Sequence, residues 1–336
     1  MSNTLFQYLY QTKNPIKKIL YYLISYLVRV KDLMKVRRYD VIFIHQGLSY
    51  FGPPILEYLI AKLNNNIIYD VDDADFSKPA FASGFAARFH DRNRIAKISK
   101  LAKQLLVSVD YIKKYVEKFN SNVTVIPTSI DASRYTSKNY DKQNSSSIII
   151  GWVGTASGLI YLQTLEEVMQ KLSKSYNIEL RIISSHSIKI PAVKVVHRMW
   201  TLENEIKDLQ SIDIGVMPLP NTEFERGKGG FKLIQYMGVG VPVVCSPIGI
   251  NLEIVQNGTN GYLAETKAEW FEKLSLLIED ENLRERLGRK GRESIRDKFT
   301  VEANAAKFVK IILSNSKSER VGCERAKQAL NNRSVT

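Results

Sequence analysis

A chain of 336 residues, 44% hydrophobic and 24% charged, has the balance of a soluble two-domain protein and can bury a core without disulfide or metal staples. Its formal net charge of +14 favours anionic partners such as nucleotides or phospholipid headgroups, although a merely soluble basic surface is the plainer reading. Two cysteines, Cys245 in an apolar run and Cys323 in a polar tail, exclude a disulfide framework; four scattered histidines show no metal spacing, and no motif points to nucleic acid as a partner.

The chain opens on a helical pattern. Residues 19–28, ILYYLISYLV, are too few to span a bilayer, and no signal peptide is read. Ile16, Leu20, Leu23, Leu27, Val30 and Met34 recur at steps of four and three and so share one helix face. Lys17, Lys18, Arg29, Lys31, Lys35, Arg37 and Arg38 flank it. Two readings stay open: a core-packing helix with a solvated basic face, or an amphipathic helix lying in a membrane interface.

Strand and helix patterns then alternate. YDVIFIH, NIIYDVDDADF, QLLVSV and NVTVIP read as strands, with GPPILEYLIAKLN, a basic stretch over 88–103 and YIKKYVEKF as helices. That alternation predicts a parallel sheet with helical crossovers. The polar stretch 131–147 reads as a domain linker. The second half repeats the plan. Its strands are IIIGWVG, IELRIISS, VKVVHRM, DIGVMPL and VPVVCS, and LIYLQTLEEVMQKLSKSY reads as one long helix. Three helices follow, and the last residues, from 316, read as a disordered tail.

Two stretches of the second half suit a diphosphate. In GWVGTASG, Gly154 ends a strand and Thr155 or Ser157 can cap the next helix, whose free N–H groups favour anions; a routine turn gives the same pattern. In FERGKGGFKLIQYM, Gly229 and Gly230 allow close backbone approach. Lys228 and Lys232, four apart, share one face if the helix includes both. Neither the phosphate-loop order nor a G-x-G-x-x-G after a first strand is present. In the first half, Asp70, Asp72 and Asp73 follow a strand; such carboxylates repel one another unless they bind something, and helix capping is the plainer alternative.

The stretch DIGVMPLP…FERGKGGFKLIQYMGVGVPVVCSPIGINLEIVQNGTNGYLA resembles the donor half of family-four glycosyltransferases, as do IIIGWVGTASGLIYLQTL, VIPTSIDASRY and IIYDVDDADF. The resemblance covers residues 39–313 and implies an α/β, GT-B fold of two Rossmann-like domains facing a cleft. Residues 1–140 would form the acceptor side, 141–300 the nucleotide-sugar domain, 301–315 a helix crossing back, and 316–336 the tail. The first strand, its loop and the following unit of the acceptor side read as missing.

The family usually carries two glutamates eight positions apart, one for the sugar and one for the ribose; Gly227 and Gln235 stand there. Gln235 can still bond ribose hydroxyls, and Glu225, two residues before Gly227, is the carboxylate that would reach the sugar instead. Lys228 and Lys232 become catalytic ligands of the leaving diphosphate, with Gly154, Thr155, Gly229, Gly230 and Phe231 around it. Trp200 is expected near the base unless it is a core residue, and Glu253 on the sugar side unless it is a helix-start carboxylate. Asp72 is expected near the family's cleft histidine position as a catalytic group, with Asp70 and Asp73 toward the acceptor or cleft, and Asp72 or Asp73 in contact with the acceptor or the transferred sugar. Neither metal nor cofactor is implied beyond the nucleotide-diphosphate sugar.

The expected function is retaining transfer of that sugar to a saccharide or lipid-linked acceptor of bacterial surface glycan. It would take place in the cytoplasm, with docking at the anionic inner face of the plasma membrane. The alternatives are a non-catalytic donor-binding remnant or partner of a full-length enzyme, and a membrane-surface scaffold.

Overall fold

The computed structural model describes residues 14–48, 52–77, 91–140 and 147–316. Cys323, the tail beyond 316, residues 88–90 of the basic stretch and part of the polar linker lie outside them.

Strands β1 (Ile42–His45), β2 (Ile67–Val71), β3 (Gln104–Val107) and β4 (Val123–Val125) form a four-stranded sheet in that order, all parallel. The crossovers contain α2 (Ile55–Leu63), α3 (Arg94–Leu101) and α4 (Asp110–Val116), after the N-terminal helix α1 (Pro15–Leu33). β3 is buried along its whole length, which suits Leu105, Leu106 and Val107 in a strand covered on both faces, while the buried Gln104 amide donates to Asn122 O and Thr124 Oγ1.

The second sheet is six-stranded and parallel. In sequence it contains β5 (Ile148–Val153), β6 (Ile178–Ile183), β7 (Val195–Arg198), β8 (Ile214–Met217), β9 (Val243–Cys245) and β10 (Tyr262–Leu263). Its spatial order, β10-β9-β8-β5-β6-β7, reverses direction between β5 and β8. Such a switch point opens a crevice at the carboxyl ends of the strands, the usual ligand position in a doubly wound sheet.

Several elements depart from the patterns read above. The expected long helix after β5 is two: α5 (Leu159–Gln163) and α6 (Glu166–Ser175). The Thr164 hydroxyl donates to the Tyr161 carbonyl at the break, and local side-chain bonding of this kind competes with helix continuation. The lysine-rich helix also starts late. A short turn of helix, α8 (Glu223–Arg226), follows α7 (Glu205–Gln210), and α9 runs over Phe231–Gly238. Lys228 therefore precedes the helix that carries Lys232. The apolar stripe of α1 does not pack in a core: Leu20, Leu23, Leu27, Val30 and Met34 are all exposed, Met34 by 74%.

The chain crosses between the halves twice, side by side. Ile130 and Thr300 form a parallel bridge, with Ile130 N–H donating to Phe299 O and Val301 N–H to Ile130 O. After α10 (Asn251–Ile254), α11 (Lys267–Glu279) and α12 (Glu281–Arg296), helix α13 (Val301–Asn315) lies on the first sheet. The Phe308 ring meets Phe43 of β1 at 5.8 Å, and Lys307 donates to the Val125 carbonyl. No helix of the described residues is long and apolar enough to cross a membrane.

The start of the polar stretch is anchored in the second half. Tyr135 and Lys138 are buried. Lys138 Nζ donates to Ile212 O at 2.6 Å and pairs with Asp213 at 3.2 Å, while Asp213 accepts the Ile149 N–H. Removing one partner of such a pair strands a buried charge. Lys138→Met should cost about 3–5 kcal/mol in urea unfolding, with partial recovery in Lys138→Met/Asp213→Asn.

Candidate active site: a cleft between two sheet ends

The carboxyl ends of both sheets meet at the Gly227–Gly229 turn. A Cβ on Gly227 would stand 2.3 Å from the Ala74 Cβ and 3.2 Å from the Ala74 nitrogen, on the loop after β2. A Cβ on Gly229 would stand 2.3 Å from Thr128 Oγ1, after β4, with Ser108 beyond β3 also near. Gly229 and Gly230 were expected to let backbone approach a ligand, and Gly227 stood at the place of a glutamate. In this structure Gly227 and Gly229 let the opposite half approach instead, at ordinary backbone angles for Gly227 (φ −85°). Gly230 has the conformational role: at φ 68° it is the left-handed N-cap of α9, packed on Ile250 and Ile254.

The turn brings two lysines to the mouth of the β5/β8 crevice. Lys232 lies with its ammonium 5.6 Å from the Trp152 ring, and its side chain passes over Gly154, where a Cβ would meet it at 2.8 Å. Lys228 sits 4.5 Å over the Phe224 ring. Neither makes an ion pair with a described residue. Desolvation first, and then the charge of Lys228, push the Lys232 ammonium down to about 8, with Asp73 opposing. The cations thus lack a counterion and are felt by a carboxylate of the facing half.

On that facing side, His45 ends β1 and is in register with Asp70 of β2. His45 Nδ1 and Asp70 Oδ2 are 2.9 Å apart, and His45 Nε2 is 3.6 Å from Asp72. The three ligand atoms lie within 4.8 Å of one another, close enough to share a metal ion, although the His45–Asp70 hydrogen bond already uses two of them. Ser108 Oγ donates to the Asp72 carbonyl and steadies the loop. Burial pushes the Asp72 carboxyl up to about 6, with the Asp70 charge adding and His45 opposing. Asp70 is raised by burial as well.

The other expected site residues divide. Thr155 bonds Ser157 at 3.0 Å and starts only a short 3-10 turn, without a side-chain cap. Glu225 is buried, its oxygens bonded to the Tyr161 and Thr222 hydroxyls, so it turns away from the opening. Gln235, expected at the ribose, is buried too. It donates to the Tyr135 hydroxyl at 3.1 Å and to Glu205 at 3.0 Å, because helix α9 turns this face toward the interdomain crossing. Glu205 also holds Arg134 and accepts from the Trp200 indole, which is half-exposed after the edge strand β7. Phe231 is half-exposed at the start of α9, and Glu253 is exposed on α10. Sequence reasoning passed over His45 and Tyr161. The signal for His45 was its place at the carboxyl end of a parallel strand.

This is the fold of GT-B glycosyltransferases. The sucrose-phosphate synthase of Thermosynechococcus elongatus superposes with a TM-score of 0.63 at 15% identity, over 82% of this chain and 73% of that one. The Anabaena HepE protein, in complex with UDP and glucose, superposes at 0.64 and 13% identity, over 85% and 81%. More particularly, residues 129–294 match the family described as glycosyl transferases group 1. The capsular polysaccharide biosynthesis glycosyltransferase CapM of Staphylococcus aureus is 26% identical over 173 residues, 48% of this chain and 44% of that protein. The N-acetyl-alpha-D-glucosaminyl L-malate synthase of Bacillus anthracis is 27% identical over 100 residues, 29% of this chain and 26% of that protein. The matches thus span less than half the length of either curated relative.

A raised carboxyl binds its proton more tightly folded than unfolded, so ionised Asp72 opposes folding above pH 6, and the penalty fades as pH falls toward 4. Asp72→Asn should therefore raise the melting temperature at pH 7.5 and leave it unchanged near pH 4. The gain will be modest, because the side chain is 45% exposed and screened by water.

Proposed function

We propose that the protein is a glycosyltransferase that moves a sugar from a nucleotide-diphosphate donor to a saccharide or lipid-linked acceptor of a bacterial surface glycan. The observation that carries this reading is the pair Lys228 and Lys232, which make no ion pair with a described residue, with Lys232 passing over Gly154 at the switch point of the second sheet and Lys228 over the Phe224 ring. The group 1 match over 129–294, which includes both lysines, supports it. So do the two relatives named for sugar transfer and malate-glucosaminide synthesis. In this reading the described residues up to 130 belong to the acceptor domain, 131–140 and 147–300 to the donor domain, the stretch 131–140 joining it through Tyr135, Lys138 and Tyr140, and 301–315 to the crossing helix.

In this reading the bond from the anomeric carbon to the diphosphate breaks with retention, and a bond to the acceptor oxygen forms. The acceptor proton leaves on the departing phosphate. Lys228 and Lys232 stabilise the charge developing there, in a site already partly desolvated. Asp72, beside His45 and Asp70, faces the acceptor and orients its hydroxyl. No metal or cofactor enters this scheme. Gln235 and Glu225 are left out as direct ligands because both are buried and bonded.

Lys228→Ala and Lys232→Ala should each weaken binding of UDP, ADP or GDP by at least tenfold in calorimetry, with the fold intact by circular dichroism. Unchanged affinity in both variants would remove the donor site. The depressed Lys232 gives a pH signature. Near pH 8.5 the free ammonium is largely deprotonated, so diphosphate binding should take up a proton. Near pH 6.5 it should take up none. Calorimetry in buffers of different ionisation enthalpy reads this directly. A donor-binding partner without activity predicts the same binding, but no transfer when lipid-linked acceptors are supplied.

The exposed stripe of α1, flanked by Arg29, Lys31, Lys35, Arg37 and Arg38, supports peripheral docking on an anionic cytoplasmic membrane face. Cosedimentation with phosphatidylglycerol vesicles, but not with phosphatidylcholine ones, and its loss in Leu23→Glu/Leu27→Glu, is the expected result.

A further inference from the structure

The chain leaves β1 through a turn tighter than a strand end requires. Gly47 N–H donates to the His45 carbonyl at 2.7 Å, and Gln46 between them has φ 61°. That is the strained hand of the γ-turn, which residues with a side chain rarely adopt. Such a backbone persists only where its surroundings over-determine it, and it gathers at functional sites. Three buried side chains from three elements hold it here. The Tyr69 hydroxyl of β2 donates to the Gln46 carbonyl at 2.8 Å, and burial pushes this phenol up, so it stays a donor. Glu57 of α2 accepts the Leu48 N–H at 2.9 Å. Arg94, at the start of α3, pairs with the same Glu57 oxygen and lies flat against Gly47, where a Cβ would meet the guanidinium at 2.8 to 2.9 Å. Glu57 is wholly buried, and its second oxygen finds no hydrogen bond among the described residues. A buried ion pair is often no more stabilising than apolar residues of the same volume, so stability does not account for this one.

His45 stands immediately before the turn. The peptide unit between it and Gln46 is held at both ends: Gln46 N–H donates to Asp70 O at 2.9 Å, and His45 O accepts from Gly47. The ring then projects one way, with Nδ1 on Asp70 and Nε2 toward Asp72 and the cleft. We propose that Glu57, Arg94 and Tyr69 are positioning residues of the cleft, which through the turn 46–48 fix the His45 ring with its proton on Nδ1 and its lone pair facing Asp72. An ionised carboxylate only accepts hydrogen bonds, and a neutral imidazole has one N–H, so Asp70 draws that proton to Nδ1. Nε2 and the Asp72 carboxylate are then two acceptors 3.6 Å apart, too far to bond each other. The space before them suits a hydrogen-bond donor such as an acceptor hydroxyl, met by groups already in place. The consequence for sugar transfer rests on the reading above, whereas the orientation of His45 stands by itself.

Nitrogen–proton correlation spectra of the full chain, with its histidine rings labelled, test this at an alkaline pH where the ring is neutral; His45→Gln assigns the signal. Wild type should show His45 protonated on Nδ1. Tyr69→Phe, which removes one hydroxyl, and Glu57→Gln, which breaks the Arg94 pair, should each lose that single pattern and show the Nε2–H form beside it. Lys138→Met, which strips a buried charge of its partner in the second half, should keep it, so a general loss of stability does not mimic the effect. If Glu57→Gln fails to fold, Tyr69→Phe decides alone. A wild-type ring protonated on Nε2, or an unchanged pattern in every folded variant at 57 and 69, overturns this inference. Calorimetry keeps the donor site separate, since both variants should bind UDP, ADP or GDP as wild type does. Wild-type protein that binds none of the three overturns the donor-site reading and leaves the His45 result standing.

Discussion

Ala74 and Thr128 reach the opposite backbone across the cleft only because residues 227 and 229 have no side chains. Most of what the site can do depends on that contact. Two parallel sheets point their carboxyl ends at each other, and each end carries loops with chemistry: His45, Asp70 and Asp72 on one side, Gly154, Lys228 and Lys232 on the other. A single methyl group at position 227 would collide with Ala74 and force these sets apart. The paired crossing at Ile130 and Thr300 fixes where the halves join. The glycine turn fixes how closely their active ends approach.

The electrostatics follow from that geometry. Buried charges elsewhere are matched: Glu57 with Arg94, Lys138 with Asp213, and Glu205 with Arg134. Burial makes each of these pairs obligatory, since an unpaired buried charge costs several kcal/mol (~3–5). At the cleft the rule is relaxed. Lys228 and Lys232 rest on aromatic faces rather than on carboxylates, and Asp72 holds its proton to about 6. Aromatic faces offset part of the desolvation of an ammonium without neutralising it. The result is a pair of cations held without an ion pair to any described residue, at some expense to stability.

The role of Gln235 illustrates how local reading can misjudge direction. Its place in the motif suggested an outward contact with ribose. The helix carrying it starts only at Phe231, and its buried face meets Tyr135 and Glu205 at the domain crossing. The amide became part of the joint. Trp200 is tied to the same Glu205, so the joint and the edge of the second sheet share one carboxylate. The N-terminal helix shows the opposite case. Its stripe was legible as amphipathic, but periodicity alone does not say whether a protein core or some other surface covers that stripe. In the folded chain Leu23, Leu27 and Met34 remain in the open.

By itself, the sequence determined the alternation of strands and helices, the parallel sheets and the stretches rich in chemistry. Runs such as LLV in β3 and IIIGWV in β5 are local signals with a local physical cause: a strand covered on both faces is largely apolar, and its buried polar exceptions, such as Gln104, are hydrogen-bonded. The lysines and glycines at 227–232 were likewise visible as a phosphate-like cluster. Only the tertiary structure decided what those glycines are for, that Glu225 and Gln235 are spent on internal bonds, and that His45 joins Asp70 and Asp72. Each of those outcomes is a contact between residues far apart in the chain, Gly227 with Ala74, Gln235 with Glu205 and His45 with Asp70. The first is set by how the two sheets face each other, the second by how α9 packs against α7, and the third by the register of β1 on β2, and no window of sequence contains those arrangements.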